Sequence, residues 1–567
     1  MNIWRVNLAD QGFTSEPCPP DWEHLGGRGL IARIMVEEVP GGCDPLGPKN
    51  KLIFAPGLLV GHRLSSCDRI SVGTKSPLTG GIKEANAGGR TGFQLAELGI
   101  KALIIEGVPE SGSFSILHLS KDGVQFLPAD GLVGMGVYES ARILLDRFGP
   151  KAAMALIGPG GEMKLHSAGI LNVDKDGVPS RINARGGVGA VMGAKGLKAI
   201  VIDSSEGQVP ELHDQEAFKE AQKRYTRALL DHPQTTVYHD YGTAAMTMMC
   251  NGFGAMPTRN FSSGEFEHAE QISGEYLREV LLKRGGKAQP SHACMAGCVI
   301  QCSNVFTDET GEEDIVSPLE YETIGLMGSN LGIGSLDDIA LLNWEVNDLG
   351  LDSIELGAAL GVAAEGGMFE FGDAPAVQRL IDEVRQGTPV GRMLGHGAAL
   401  TGQVLGVRRV PVVKGQAMSA YEPRVIKGTG VTYATSPQGA DHTCGLTIRA
   451  KVNHQDPTGQ AKLSQGAQIN MAGYDTLGAC IFAGFGFSAQ PENIRDLINA
   501  RYGLQVGGNI LQELGKETLL LEREFNQMAG FTSLDDRLPE WMYEEPVPPN
   551  QAVFDVPDED LDTVFDW

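Results

Sequence analysis

Three cysteines in one short stretch, Ser291 to Asn304 (SHACMAGCVIQCSN), are the residues of this chain best suited to chemistry. Cys294, Cys298 and Cys302 are each separated from the next by three residues. Thiolates this close together, in a chain without a disulfide signature, collect a soft metal or an iron–sulfur cluster. A cubane cluster takes four thiolates, so a fourth cysteine is required elsewhere. The competing reading lines up three small apolar side chains on one buried helix face, because a spacing of four also suits a helix. In DTLGACI, Cys480 has a small, apolar setting that suits the missing ligand, with Cys444 as its competitor. Cys18, Cys43, Cys67 and Cys250 lie in plain surroundings and read as ordinary thiols.

Two glycine-rich runs carry positive charge. RINARGGVGAVMGAKG, from Arg181 to Gly196, exposes successive backbone N–H groups and adds Arg181, Arg185 and Lys195, the makings of a phosphate cradle. A dinucleotide fold does not fit, because DKDGVPSRINA does not read as a buried strand and GVGAVMG misplaces the third glycine. EANAGGRTG, with Asn86 and Arg90 and with Arg69 nearby, has the same character. A pair of such loops suggests two anionic groups or one extended anionic cofactor; glycines that only permit close packing are the plainer reading. Acid–base residues stand out in two places. Glu322 lies in SPLEYETIGLMGSN, about twenty residues past the cysteines, and His442 follows the polar run ATSPQGAD. Each alone would pass for a helix edge or a structural histidine.

The elements that must position these residues fall into two textures. From Met1 to about Ser205, short strands broken by glycine turns dominate: NIWRVNL, KLIFAPGLLV, DRISVGT, KALIIEG, FSILHLSKDGVQFLPA and LKAIVI. Lys121-Asp122-Gly123 marks a hairpin turn, and helices are expected over Gly27–Glu38 and Val137–Phe148. Beyond Val209-Pro210 the apolar residues recur at three and four, as in QEAFKEAQKRYTRALLDH, LDDIALLNWEVNDLG and AVQRLIDEVRQG. The expected fold is α+β: a β-rich domain over 1–208, then mainly α-helical domains over 209–410 and 411–567.

The 75 glycines among 567 residues are well above the usual share of roughly 7% and concentrate in these loops. A net charge of −25 excludes nucleic acid as a main partner. Much of that acidity follows Arg537, where no basic residue remains, and the stretch reads as a solvated tail. No run is long and apolar enough for a membrane span, and MNIWRVNLADQGF has no basic-then-apolar leader. With an odd number of cysteines, a cytoplasmic chain is expected.

Taken together, these stretches resemble the aldehyde:ferredoxin oxidoreductase family of tungsten or molybdenum enzymes. GGRGL, KSPLTGG, NAGGRTG, RGGVGAVMGAKGLKA, the cysteine triplet, EYETIG, NDLGLDSIE, ATSPQGADH and DTLGAC occur in family order across nearly the whole chain. The resemblance implies a β-rich N-terminal domain forming a base under a bis-pterin cofactor, with two helical domains above it. It places Arg69, Asn86, Gly88, Arg181, Ile182, Ala184 and Arg185 at the pterins or their phosphates. A magnesium ion bridging those phosphates would take backbone carbonyls near Asn86 and Ile182. Asn347, Leu351, Asp352, Asp475, Ala479 and Ile481 match further pterin-contacting positions. Cys294, Cys298, Cys302 and Cys480 match the ligands of a 4Fe–4S cluster, and Glu322 and His442 match the acid–base positions beside the metal.

The resemblance also implies the reaction: oxidation of a small aldehyde to a carboxylic acid. Electrons would pass through the cluster to ferredoxin or to an iron–sulfur partner subunit, in a homo- or hetero-oligomer. Three features depart from the family pattern. The cysteine spacing is three and three instead of two and three, Asn347 stands where Asp is common, and Gln438 and Cys444 fall where basic pterin contacts are expected. The alternatives are a catalytic subunit that reduces an acid or a thioester-activated ring, and a non-catalytic iron–sulfur electron-transfer subunit. A radical S-adenosylmethionine enzyme is a weaker rival, since its C-x3-C-x2-C pattern is missed by one residue.

Overall fold

The computed structural model describes residues 1–110 and 112–567. Two six-stranded mixed sheets make up the N-terminal part. The first contains β1 (Asn2–Asn7), β2 (Gly12–Pro17), β3 (Leu52–Pro56), β4 (Ile70–Lys75), β5 (Ile82–Ala87) and β6 (Ile100–Glu106), in the order β2-β1-β6-β3-β4-β5. The second contains β7 (Ser115–Ser120), β8 (Gly123–Pro128), β9 (Ala153–Leu156), β10 (Ile170–Val173), β11 (Pro179–Asn183) and β12 (Leu197–Ile202), in the order β11-β10-β9-β12-β7-β8.

Read from the hairpin end, the two orders are the same. Each unit runs hairpin, helix, three antiparallel strands, short helix, and a last strand parallel to the first. The first helices, Gly27–Glu38 and Val137–Phe148, have 12 residues each, and the second, Thr91–Glu97 and Val188–Ala194, have 7 each. The N-terminal part is one topological unit used twice.

Alternation along the strands explains the stacking. Trp4, Val6, Leu52, Phe54, Leu103 and Ile105 point from the first sheet into a core shared with Leu117, Leu119, Ala153, Ala155, Ile200 and Ile202 of the second. Their neighbours Ile3, Ile53, Ala102 and Ile104 pack on helix Gly27–Glu38, while Met154, Leu156, Ala199 and Val201 pack on helix Val137–Phe148. Both faces are covered, so the strand centres ALII and AIVI are continuously apolar. The expected hairpin is present: Ser120 pairs with Gly123, whose φ of +115 suits glycine.

PSRIN is a correction. It forms β11, a largely buried strand antiparallel to β10, although it has one aliphatic side chain. The strand is stabilised through polar groups. Asn183 Nδ2 donates to the carbonyls of Ile70 (3.2 Å) and Ala85 (2.6 Å), its Oδ1 accepts from Asn172 (2.8 Å), and Asn172 accepts from Thr91 (2.7 Å). These bonds knit the two sheets at their inner edges, a role hydropathy does not reveal. The two short helices were also missed: VGAVMGA lies inside a run that reads as a glycine-rich loop, and TGFQLAE starts at the end of another.

The rest of the chain is mainly helical, with helices at Gln215–Asp231, Leu336–Leu349, Ser353–Glu365, Gln460–Leu477 and Ile510–Met528 among them. The acidic tail is a second correction: it is docked. Trp541, Met542, Val547, Phe554, Val556, Leu561 and Val564 are buried in the helical core. Arg537 holds Asp558 and Asp562, and Arg409 holds Glu545. Apolar residues interleaved with the acids pin the segment, and the acids face basic partners or solvent. No helix among the described residues is long and apolar enough to cross a membrane.

Candidate active site

The cysteine triplet lies in an irregular loop between β13 (Gln289–His292) and β14 (Ser303–Thr307), which excludes the helix-face reading. Antiparallel pairing of His292 with Ser303 ties the two ends together, and Gly297 turns with φ +80. Cys480 arrives from the far end of the chain, just past helix Gln460–Leu477, and joins the triplet. Cys302 feels Cys294, Cys298 and Cys480, and burial together with these neighbours holds its thiol well above the ordinary range. Burial, then Cys298, pushes Cys294 up to about 12. Four ionised sulfurs here require a bound cation. Among the described residues no three of these sulfurs lie within 4.8 Å of one another. That is wider than the tetrahedron around one ion, where a metal–sulfur bond of about 2.3 Å sets sulfurs about 3.8 Å apart. The donor set fits a multi-iron cluster.

A segment absent from the sequence-derived site holds these cysteines in place. Ser65 Oγ accepts from Val299 N–H (3.1 Å), the Ser66 carbonyl accepts from Cys480 N–H (2.8 Å), and the Tyr225 hydroxyl donates to the Ser65 carbonyl (2.9 Å). Cys67 lies against Tyr225, 3.8 Å from its hydroxyl, so it belongs to the surroundings of the cysteines. A strong sequence signal was not available, since HRLSSCDR makes these contacts with residues 158 or more positions away.

The two glycine-rich loops occupy equivalent places in the two repeats. Asn86-Ala87-Gly88 ends β5 and Asn183-Ala184-Arg185 ends β11. A Cβ on Gly88 would sit 3.1 Å from Cys294 Sγ, so glycine brings this loop against the cysteines. Arg69 lies over Asn86, bonding its side chain and its carbonyl, and also feels Cys480 and Cys294. Arg181 bonds Ser303 (2.9 Å) and lies 3.8 Å from Asp174. Its Nε, like Glu84 Oε1, is buried without a hydrogen-bond partner among the described residues. These orphaned groups fit a polar cofactor lying between the loops.

Helix ends complete each loop. Asn347-Asp348-Leu349-Gly350-Leu351-Asp352 docks on the second sheet: Gly169 N–H donates to Gly350 O (2.9 Å), Asp352 N–H donates to Ser167 O (2.8 Å), and Leu351 bridges Ala168. Asp475-Thr476-Leu477-Gly478-Ala479-Cys480 docks on the first, with Leu58 and Leu59 N–H donating to Thr476 and Leu477 carbonyls at 3.1 and 2.9 Å. Gly350 and Gly478 take φ +74 and +77, the left-handed turn that closes a helix. Ile481 then begins a short helical turn.

Arg185 is the hub of the acid–base site. It bonds Ser419 Oγ (3.2 Å), the Ala440 carbonyl (2.7 Å) and Asp352 (3.3 Å), and lies 3.8 Å from Asp441. Burial would raise Asp441, yet Lys83, at 2.6 Å, and Arg185 hold it well below the usual carboxylate range. His442 Nδ1 is 2.8 Å from Ser419 Oγ, and Nε2 is 3.3 Å from Glu322 Oε1. A Ser419 hydroxyl that accepts from Arg185 and donates to Nδ1 would set the imidazole proton on Nε2, toward Glu322. Glu322 Oε2 accepts from Ala420 N–H (2.8 Å), while Oε1 makes no hydrogen bond within the protein. Burial raises the Glu322 pKa above the usual range, and His442 opposes it. The helix carrying Glu322 widens to a π-type turn at Ile324–Gly328, a distortion frequent at functional sites. Tyr321 and Tyr421 flank the pair, with ring centroids of Tyr421 and His442 5.7 Å apart.

Glu355 braces this hub from behind, accepting from Ala417 (2.8 Å) and Ala398 (3.0 Å) N–H groups. Burial pushes it up to about 7, so its folded form resists ionisation. A raised carboxyl pKa gives stability below the ordinary value that is lost as pH rises through the folded one. Glu355→Gln is therefore expected to gain on the parent by about 3 kcal/mol between pH 4.5 and 8, at roughly 1.4 kcal/mol per pKa unit. The loss of one acceptor adds an offset that does not vary with pH. Denaturation midpoints across that range check it.

The N-terminal domain model of aldehyde ferredoxin oxidoreductase matches residues 3–204, and the model of its domains 2 and 3 matches 220–566. A tungsten-containing aldehyde ferredoxin oxidoreductase of Thermococcus kodakarensis is 33% identical over 97% of this chain and 92% of its own length. An aliphatic sulfonate oxidoreductase, WOR-like subunit, of Pyrococcus furiosus is 29% identical over 75% of this chain and 72% of its own. In fold, the chain resembles a chain of the benzoyl coenzyme A reductase active-site complex BamBC, with a TM-score of 0.80, 18% identity, and coverage of 100% of this chain and 93% of that one. With both family models and a relative matched over nearly its full length, the chain belongs to the aldehyde ferredoxin oxidoreductase family and is an oxidoreductase.

Proposed function

We propose that this oxidoreductase converts an aldehyde and water into a carboxylic acid, two protons and two electrons. The observation that carries the reading is the buried Glu322–His442 pair, with Glu322 Oε1 3.3 Å from His442 Nε2 and otherwise without a hydrogen bond among the described residues. Arg69, Asn86, Gly88, Arg181, Ile182, Ala184 and Arg185, with Asn347, Leu351, Asp352, Asp475, Ala479 and Ile481, would hold a tungsten or molybdenum bis-pterin. Magnesium would bridge its phosphates near the Asn86 and Ile182 carbonyls, and Cys294, Cys298, Cys302 and Cys480 would hold a 4Fe–4S cluster. When bound, the metal–pterin group supplies the two-electron acceptor and the cluster a one-electron outlet toward ferredoxin or an iron–sulfur partner.

The chain's own residues handle protons. Glu322 Oε1 takes a proton from the attacking water, and the His442 Nε2 proton is placed to polarise the aldehyde oxygen. Ser419 keeps His442 in the tautomer that allows this, and Arg185 keeps Ser419. Tyr321 and Tyr421 keep the pair in an apolar, aromatic setting.

Protein purified anaerobically is expected to hold about four irons and one tungsten or molybdenum, and to reduce a viologen dye only when an aldehyde is added. Iron without either heavier metal would point to the electron-transfer subunit. Dye oxidation with an acid or a thioester, and no response to aldehydes, would point to the reductive reading.

A further inference from the structure

Among the described residues, Ser66 is the one whose hydroxyl is placed on a sulfur of the four cysteines. Its Oγ lies 3.4 Å from Cys298 Sγ, and Ser66 and Cys298 are 2% and 7% exposed. A thiolate bound to iron has no proton, so the hydroxyl must be the donor. The backbone is strained to allow this. Ser66 has φ +62, in the left-handed region that non-glycine residues seldom enter, and Arg63 has φ +51 three residues earlier. In this conformation the Ser66 carbonyl faces the other way and accepts from Cys480 N–H at 2.8 Å. One residue thus joins the triplet to the fourth cysteine, by its hydroxyl on one side and its carbonyl on the other. Water has little access to the bond, because Ser65, Cys67 and Asp68 are buried as well.

We infer that Ser66 is a positioning residue that sets the reduction potential of the cluster, through a hydrogen bond from its hydroxyl to Cys298. The inference rests on the reading that the four cysteines hold a 4Fe–4S cluster. Reduction adds one electron to the iron–sulfur core and makes the ligand sulfurs more basic. The O–H···S bond therefore strengthens on reduction and favours the reduced state. Its removal is expected to shift the one-electron equilibrium by about tenfold, or about 59 mV.

The test uses Ser66→Ala and Ser66→Gly in the anaerobically purified full chain. Each is analysed for iron and for the midpoint potential by redox titration followed by electron paramagnetic resonance. Alanine removes the hydroxyl and keeps the strain; glycine removes the hydroxyl and relieves it. Both variants are expected to keep the parent's iron content and to have a lower potential by a similar amount. An unchanged potential in both, at full iron content, would overturn the role of the hydroxyl. A shift in the glycine variant alone would assign the effect to backbone strain and overturn it too. A parent chain with no four-iron signal would remove the cluster reading itself, an outcome separable from the other two.

Discussion

Glu322→Gln is expected to lower aldehyde-dependent dye reduction by about 10²–10⁴-fold, the usual contribution of a positioned proton-transfer group. The substitution keeps the size of the side chain and an acceptor for Ala420 N–H, so metal content and thermal midpoint should stay close to the parent's. What is lost is basicity at Oε1, the atom 3.3 Å from His442 Nε2. In the parent, the rate should fall as pH drops through the pKa of Glu322, which burial places above the usual glutamate range. The acid limb marks protonation of the base and should be missing from whatever activity the glutamine variant retains. A variant of full activity, or one that loses its metal, would remove Glu322 from the proton path.

The largest effect on stability is expected at Arg28. Its guanidinium is 1% exposed and holds Glu522 through two bonds of 2.8 and 2.9 Å, and Asp475 at 3.2 Å. Burial works against the Arg28 charge, and Glu522 more than restores it. Arg28→Met would leave Glu522 with the side-chain amide of Gln438, at 2.8 Å, as its remaining partner. Breaking a buried pair from one side costs about 3–5 kcal/mol, since the abandoned charge has nowhere to be solvated. The cost should appear as a lower denaturation midpoint and faster thermal inactivation. Arg28→Met/Glu522→Leu should recover part of it. Because Arg28 joins the first sheet's helix to Gln460–Leu477 and Ile510–Met528, the single variant should also loosen Asp475 and Cys480.

Much of the fold and the site was legible in the sequence, for physical reasons that differ by element. KALIIE and LKAIVI announced strands because both their faces are buried. Helices Gly27–Glu38 and Val137–Phe148 fell where they were expected. The cysteines declared themselves by density, and Glu322 and His442 by family position. β11 was not legible because its inward side chains satisfy one another by hydrogen bonds. Ser419, Ser65 and Ser66 were hidden for a related reason: a serine carries no signal of its own until the partner is known, and the partners of their hydroxyls lie 23 to 234 residues away. The tail was misread because charge was counted and the apolar residues between the charges were not.

The repeated sheet has a consequence for how such a site comes to be. A unit that binds one half of an anionic cofactor gains little by itself, but two copies facing each other enclose the whole. In separate chains, the copies would be bound to remain identical. Once joined in one polypeptide, each is free to specialise. This chain shows the outcome at a single pair of equivalent positions: after Asn-Ala, one copy has Gly88 and the other Arg185. The glycine yields space, and the cysteines approach there. The arginine fills its space with charge, and Ser419, His442 and Glu322 are assembled around it. On the proposed function, a structural symmetry thereby divides into an electron side and a proton side, and asymmetry at one residue would give the molecule its direction.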